Sequence, residues 1–182
     1  MKGCKQIRLE DFKKLWKNKK VLEELEEKEL WEEILKEYWK KCGKNKGSIS
    51  WKDLGDRVFS EYDRLYYSDN KWYCKCISCR DKMKWNDRKC QCGHYVSRWV
   101  LRYRYDIRNC YPQCYRCNVI LNGNYRSYTI KMIDMLWKEE VEEMINNKKV
   151  VDLKKSWYEE KIIEWYKFIK IKKKKLWIVE YM

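Results

Sequence analysis

Ten cysteines and one histidine, His94, are the residues best able to do chemistry in this chain of 182. Four of the cysteines share one spacing, Cys76-x-x-Cys79 and Cys114-x-x-Cys117. Two intervening residues let both sulfurs of a tight turn face one tetrahedral ion, and two such turns complete a four-cysteine site. The ion expected is Zn2+. A closed shell of four thiolates leaves no position for water, so this metal should hold the fold and perform no chemistry. Cys74, Cys90, Cys92 and Cys110 lie close enough in sequence to suggest a second metal site, but their spacings match no usual ligand pattern, and the preferred reading is buried apolar thiols. Cys4 and Cys42 carry no legible role. His94 lies between the two knuckles, in the segment GHYVSR (Gly93–Arg98), where a lone histidine is as readily structural as catalytic.

Charge points to the partner. The chain carries a formal +15, and ten of those charges fall between Lys71 and Tyr128, where thirteen Lys/Arg face three Asp/Glu. Aromatic residues are interleaved with the basic ones there, which favours nucleic acid over a membrane surface. The amino terminus, MKGCKQIRLEDFKK, has no apolar run, so neither a signal peptide nor a membrane anchor is expected. Cysteines in such a chain argue for thiolates on metal rather than a disulfide framework, and for the cytoplasm. A thioredoxin-like redox role is disfavoured, because the CxxC pairs lack a βαβ context.

Helices must hold this middle segment. Apolar residues at helical spacing predict one long amphipathic helix from Leu9 to Cys42, packed on its own core. The stretch Gly43–Ser48, GKNKGS, reads as a linker. Ser50 is placed to cap a second helix running to Tyr66, with Asp53 in a capping-box-like position. From Trp72 to Tyr128 the helical period is lost, as expected of small hairpins pinned by metal. Helices are expected again over Ser127–Asn147 and Lys154–Lys174, the last ending in the basic run Lys170–Lys175, read as a solvated tail.

In its middle the chain resembles the phage NinG (Rap) recombination nucleases, a branch of the HNH or ββα-metal superfamily. The resemblance rests on FSEYDRL (Phe59–Leu65), YCKCISC (Tyr73–Cys79), CGHYVSR (Cys92–Arg98), RYDIRNCYPQCYRCN (Arg104–Asn118) and NGNYRSY (Asn122–Tyr128). A weaker echo continues in LWKEEVEEM (Leu136–Met144), and the first fifty residues have no part in it. It implies an α+β fold, a small zinc-stapled, treble-clef-like ββα-metal core flanked by N- and C-terminal helices. Three segments follow: a helical segment and linker over 1–48, the nuclease core with its leading helix over 49–128, and helices with a basic tail over 129–182.

The resemblance also implies roles. His94, on a β-hairpin, would take a proton from the water that attacks a phosphodiester, with one Mg2+ or Mn2+ stabilising the leaving oxygen. Asn109 matches the middle asparagine of the motif, which ties down the loop carrying the base. Asn118 matches the place that binds the catalytic metal in related zinc-containing phage junction resolvases. Two positions depart from the pattern: Gly93 stands where a carboxylate or histidine ordinarily binds the metal, and Leu121 replaces a closing lysine. Asp106 is the candidate replacement ligand, or else pairs with Arg102, Arg104 or Arg108. Arg98, Arg102, Arg104, Arg108, Arg116 and Arg126 are expected phosphate contacts. The expected function is a metal-dependent endonuclease of branched or structured, Holliday-junction-like DNA, acting in the cytoplasm of a phage-infected cell. The alternative is a non-catalytic zinc module that binds nucleic acid in a recombination complex. A second copy of the chain is a further possible partner.

Overall fold

Trp31, Ile34, Leu35 and Tyr38 recur at helical spacing, and all four are buried on one face of helix α1, Val21–Trp39. The computed structural model describes residues 6–7, 21–39, 49–147 and 149–180, so the rest of the expected first helix and the linker lie outside the described residues. The architecture is mixed α+β. It forms two compact units, one from the described parts of Met1–Phe59 with Lys154–Lys170, the other from Ser60–Leu153 with the described residues from Ile171 onward.

In the first unit a two-residue pairing, β1 (Gln6–Ile7) with β2 (Ile49–Ser50), leads into helix α2, Trp51–Tyr66. Ser50 caps this helix as its sequence predicts. Its hydroxyl accepts the Asp53 N–H at 3.0 Å and donates to the Asp53 carboxylate at 2.6 Å. Helix α1 spends its apolar face inside this unit. Trp31 meets Trp51 edge-on and Tyr38 meets Tyr166, while Phe59 packs on Trp165. Tyr166 and Trp165 belong to the last helix, named α6 below, which spans Lys155–Glu180.

The second unit carries the cysteines. Hairpin β3 (Tyr73–Lys75) with β4 (Lys82–Lys84) holds the first knuckle, and hairpin β5 (Cys90–His94) with β6 (Cys110–Cys114) leads to the second. A short helix α3, Leu101–Arg104, lies in the connection between β5 and β6. After β6, Arg116–Ile120 form one π-helical turn. It ends in the NGN motif, whose Asn122, Gly123 and Asn124 all take positive φ. That reversal aims the Gly123 N–H at the carbonyls of Cys117 and Asn118, both at 3.0 Å, which closes the turn over the second knuckle.

The helix expected over Ser127–Asn147 is two helices, α4 (Tyr125–Met135) and α5 (Lys138–Asn146). Leu136 between them is extended, at φ −116 and ψ 143. The apolar period carries through the break because Met132, Val141 and Met144 all enter one core with Tyr95, Tyr111 and Tyr128. The basic run at the end of α6 also differs from a solvated tail. Lys170 pairs with Glu33, Lys173 with the buried Glu61, and Lys172 donates to the Ser68 carbonyl. Among the described residues, no helix is long and apolar enough to cross a membrane.

Candidate metal centres and nucleic-acid face

The knuckles converge. Cys76, Cys79, Cys114 and Cys117 each offer a sulfur within 4.8 Å of the others. Tetrahedral zinc at a Zn–S distance of about 2.3 Å sets its sulfurs about 3.8 Å apart. Cys79 Sγ and Cys114 Sγ are already 3.7 Å apart. Thiolates also need donors, and this cluster has them. The Cys114 N–H points at Cys76 Sγ (3.3 Å), the Cys117 N–H at Cys114 Sγ (3.4 Å), and Asn124 Nδ2 at Cys117 Sγ (3.4 Å). Burial pushes the Cys76 thiol up, but N–H donors from Cys114, Cys79 and Ser78 outweigh it and the net shift is down. The residues present therefore fit a metal ion such as zinc.

His94 closes strand β5 and sits directly opposite Cys110 in the hairpin register. Its Nε2 is 3.0 Å from the Arg104 carbonyl oxygen. Burial pushes the imidazole down, yet Cys110, the Arg104 carbonyl and Asp63 outweigh it and the net shift is up. Cys110 answers in the opposite sense. Burial raises its thiol, but Cys92 and His94 together hold it at about 7. Asn109 is fully buried and locks the segment after the histidine. Its Oδ1 accepts the Val96 N–H at 2.6 Å, and its Nδ2 donates to the carbonyls of Val96 (2.9 Å) and Tyr103 (3.0 Å).

Asn118 faces elsewhere. Its Nδ2 donates to Gln91 Oε1 at 2.7 Å. Side chains alternate along a strand, so Gln91 and His94 point to opposite faces of β5. The structure thus gives His94 and Asn118 different neighbours rather than one shared centre. Asp106 is taken up by Arg108, which binds both carboxylate oxygens (3.1 and 2.7 Å) and reaches Glu140 at 2.6 Å. Gly93 has a steric reason. A Cβ there would overlap the side chain of Gln113, the residue facing Gln91 across the hairpin, so no metal-binding side chain fits at that position.

The six arginines divide. Arg98, Arg102, Arg116 and Arg126 are exposed. Arg104 is buried and donates to the Arg98 carbonyl at 2.6 Å, which fixes the loop after His94. Arg108 is exposed but shared between two carboxylates.

Sequence reasoning prefers buried apolar thiols at Cys92 and Cys110 and does not join His94 to them, yet all three lie in a second cluster of ligand atoms within 4.8 Å of one another. The spacing Cys92-x-His94 is the available signal, because it puts both side chains on one face of a strand. Asp63, fully buried beside them, was also missed. It stands one helical turn after Phe59, an acid in an apolar stripe.

No curated protein and no solved structure shows a significant match to the chain. A family model described as bacteriophage lambda NinG protein matches residues 2–176. That span takes in the first fifty residues, which the motif resemblance had left out. With nearly the whole sequence matched, the chain belongs to the bacteriophage lambda NinG family.

Proposed function

We propose that, within the phage recombination role that NinG membership suggests, this chain is a metal-dependent endonuclease of branched or structured DNA. The observation that supports this reading best is the setting of His94. The only histidine of the chain ends a hairpin strand, its Nε2 is fixed by the Arg104 carbonyl, and Asn109 locks the loop that follows. With Nε2–H given to that carbonyl, Nδ1 carries the lone pair that would take the proton of the attacking water. We read the β5–β6 hairpin and the helical turn after it as the ββα unit of an HNH nuclease.

Asn118 would hold a divalent cation, Mg2+ or Mn2+, through Oδ1, since its Nδ2 is given to Gln91, and would have to turn from the Gln91 face to bring that ion to the phosphodiester that His94 serves. That ion, when bound, would stabilise the leaving oxygen of the phosphodiester. Asp106 would have to release Arg108 to join it. Arg98, Arg102, Arg116 and Arg126 would hold phosphates, and Arg104 would act indirectly by shaping the Arg98 loop.

A second reading has one observation in its favour. The ring of His94 is enclosed by Cys92 and Cys110 on the face of the hairpin away from Gln91 and Asn118, which suits a metal-stapled module that binds nucleic acid without cutting it. The two readings separate in a cleavage assay on linear, flap and four-way-junction DNA, with and without Mg2+ or Mn2+. Cleavage that requires the added cation supports the nuclease. Tight binding with every substrate intact supports the module.

A further inference from the structure

Strand β5 presents Cys90, Cys92 and His94 on one face, and cross-strand pairing sets Cys110 against His94. Helix α2 presents Asp63 to the same place. This carboxylate is 0 % exposed and neither oxygen has a hydrogen-bond partner. Its charge is felt by Cys110, Cys92 and His94, and by the neighbouring Arg64. Buried carboxylates are ordinarily paired, hydrogen-bonded or bound to metal, and the group placed to donate to this one is the Cys92 thiol, itself a metal-ligand type.

We infer that Cys92, His94, Cys110 and Asp63 form a second metal site, with two thiolates, an imidazole and a carboxylate in the four positions of a zinc ion. The ligand atoms of Cys92, His94 and Cys110 lie within 4.8 Å of one another, against about 3 to 4 Å in a closed tetrahedral shell, and the Asp63 carboxylate, outside that group, would close in as the fourth. Sulfur and imidazole ligands select zinc over the hard cations that serve phosphodiester chemistry. Charge also balances. Two thiolates and one carboxylate bring three negative charges, the ion two positive, and Arg64 beside Asp63 the third. His94 has the second-shell contact that ligating histidines ordinarily keep, one ring nitrogen at a backbone carbonyl. The site shares no residue with the knuckle cluster.

One consequence rests on the nuclease reading. A histidine bound to zinc cannot accept a proton, so an ion at this site switches cleavage off. Zinc would then hold the enzyme inactive until the site is emptied.

Metal counting on the intact protein tests the site. Native mass spectrometry of the full chain equilibrated with Zn2+ should show two ions per chain, and the Cys92→Ser/Cys110→Ser double variant one. Substitution with Co2+ gives a second readout on the parent and on the double variant. Six thiolates rather than four should contribute to the sulfur-to-cobalt absorption, so the double variant loses roughly a third of it. A parent that holds a single ion, or a double variant that still holds two, overturns the site. Cleavage is read separately in Mg2+. Excess Zn2+ should suppress the parent and spare the double variant. A parent that counts two ions but cuts nothing in Mg2+ leaves the site standing and removes the nuclease reading.

Discussion

Asn109 spends its whole side chain on backbone groups that no water can reach, since it is 0 % exposed and makes three hydrogen bonds to Val96 and Tyr103. Asn109→Ala would remove the side-chain partners of the Val96 N–H and carbonyl and one of the donors to the Tyr103 carbonyl, which keeps the Asp106 N–H at 3.2 Å. The expected loss of stability is about 3 kcal/mol, measured by urea denaturation of the zinc-loaded protein. A loss under about 1 kcal/mol would mean that the loop after His94 is held by something else. The position of this residue was legible in its motif, but the three bonds were not, because they depend on where Val96 and Tyr103 turn back. Asp106 shows the opposite limit. Sequence offered it as a metal ligand or an ion-pair partner, and only the fold shows Arg108 laid along its carboxylate.

At the scale of the element, the knuckles and their hairpins are expected to depend on a metal held by the four cysteines. The hairpins are short, of three to five residues a strand, and the core around the first knuckle is mostly cysteine. Such a core buries too little apolar surface to fold unaided, and zinc binding supplies on the order of 10 kcal/mol to small domains of this kind. Cys117→Ser, or removal of zinc by a strong chelator, is therefore expected to abolish cooperative unfolding of the knuckle unit, followed by near-UV circular dichroism. A folded unit with no metal would contradict this. The ligands must be deprotonated to bind, so acidification favours the protonated thiols and releases the ion. Zinc content should fall as pH falls, never as it rises through neutrality. The CxxC spacings made this element readable in advance, and so did the Ser50 cap of α2. What spacing alone could not show was the break at Leu136. Both α4 and α5 turn their apolar positions to one core, so the pattern reads as a single helix. The second cluster was hidden for a similar reason, since Asp63 and Cys110 are far apart in sequence and meet only when α2 packs on the hairpin.

Over the whole molecule, the charge excess of the middle segment does not act as a uniform coat. Arg108 is balanced by Asp106 and Glu140, and much of the basic run of α6 is engaged by Glu33, Glu61 and Ser68. Arg98, Arg102, Arg116 and Arg126 remain exposed, and on the proposed reading they are the ones that would meet phosphates. DNA affinity should then fall steeply between roughly 50 and 200 mM salt, with a slope that reports the phosphates contacted. Arg102→Ala should lower both the affinity and that slope by about one contact, and Arg108→Ala should change them less. Equal effects of the two substitutions would show that ion pairing does not decide which arginines meet DNA. Composition revealed the basic middle but not this division, which depends on carboxylates brought in from α1, α2 and α5. The central claim concerns His94, for which no other histidine can substitute. The most direct test compares the parent with His94→Ala on a four-way junction at saturating Mg2+, with zinc limited to the knuckle site. The parent should cut, and the variant should keep its knuckle zinc and its DNA affinity while cutting about 10²–10⁴-fold more slowly. Equal cleavage by the two proteins, or none by the parent, would contradict the assignment of this chain as a nuclease that uses His94 as its base.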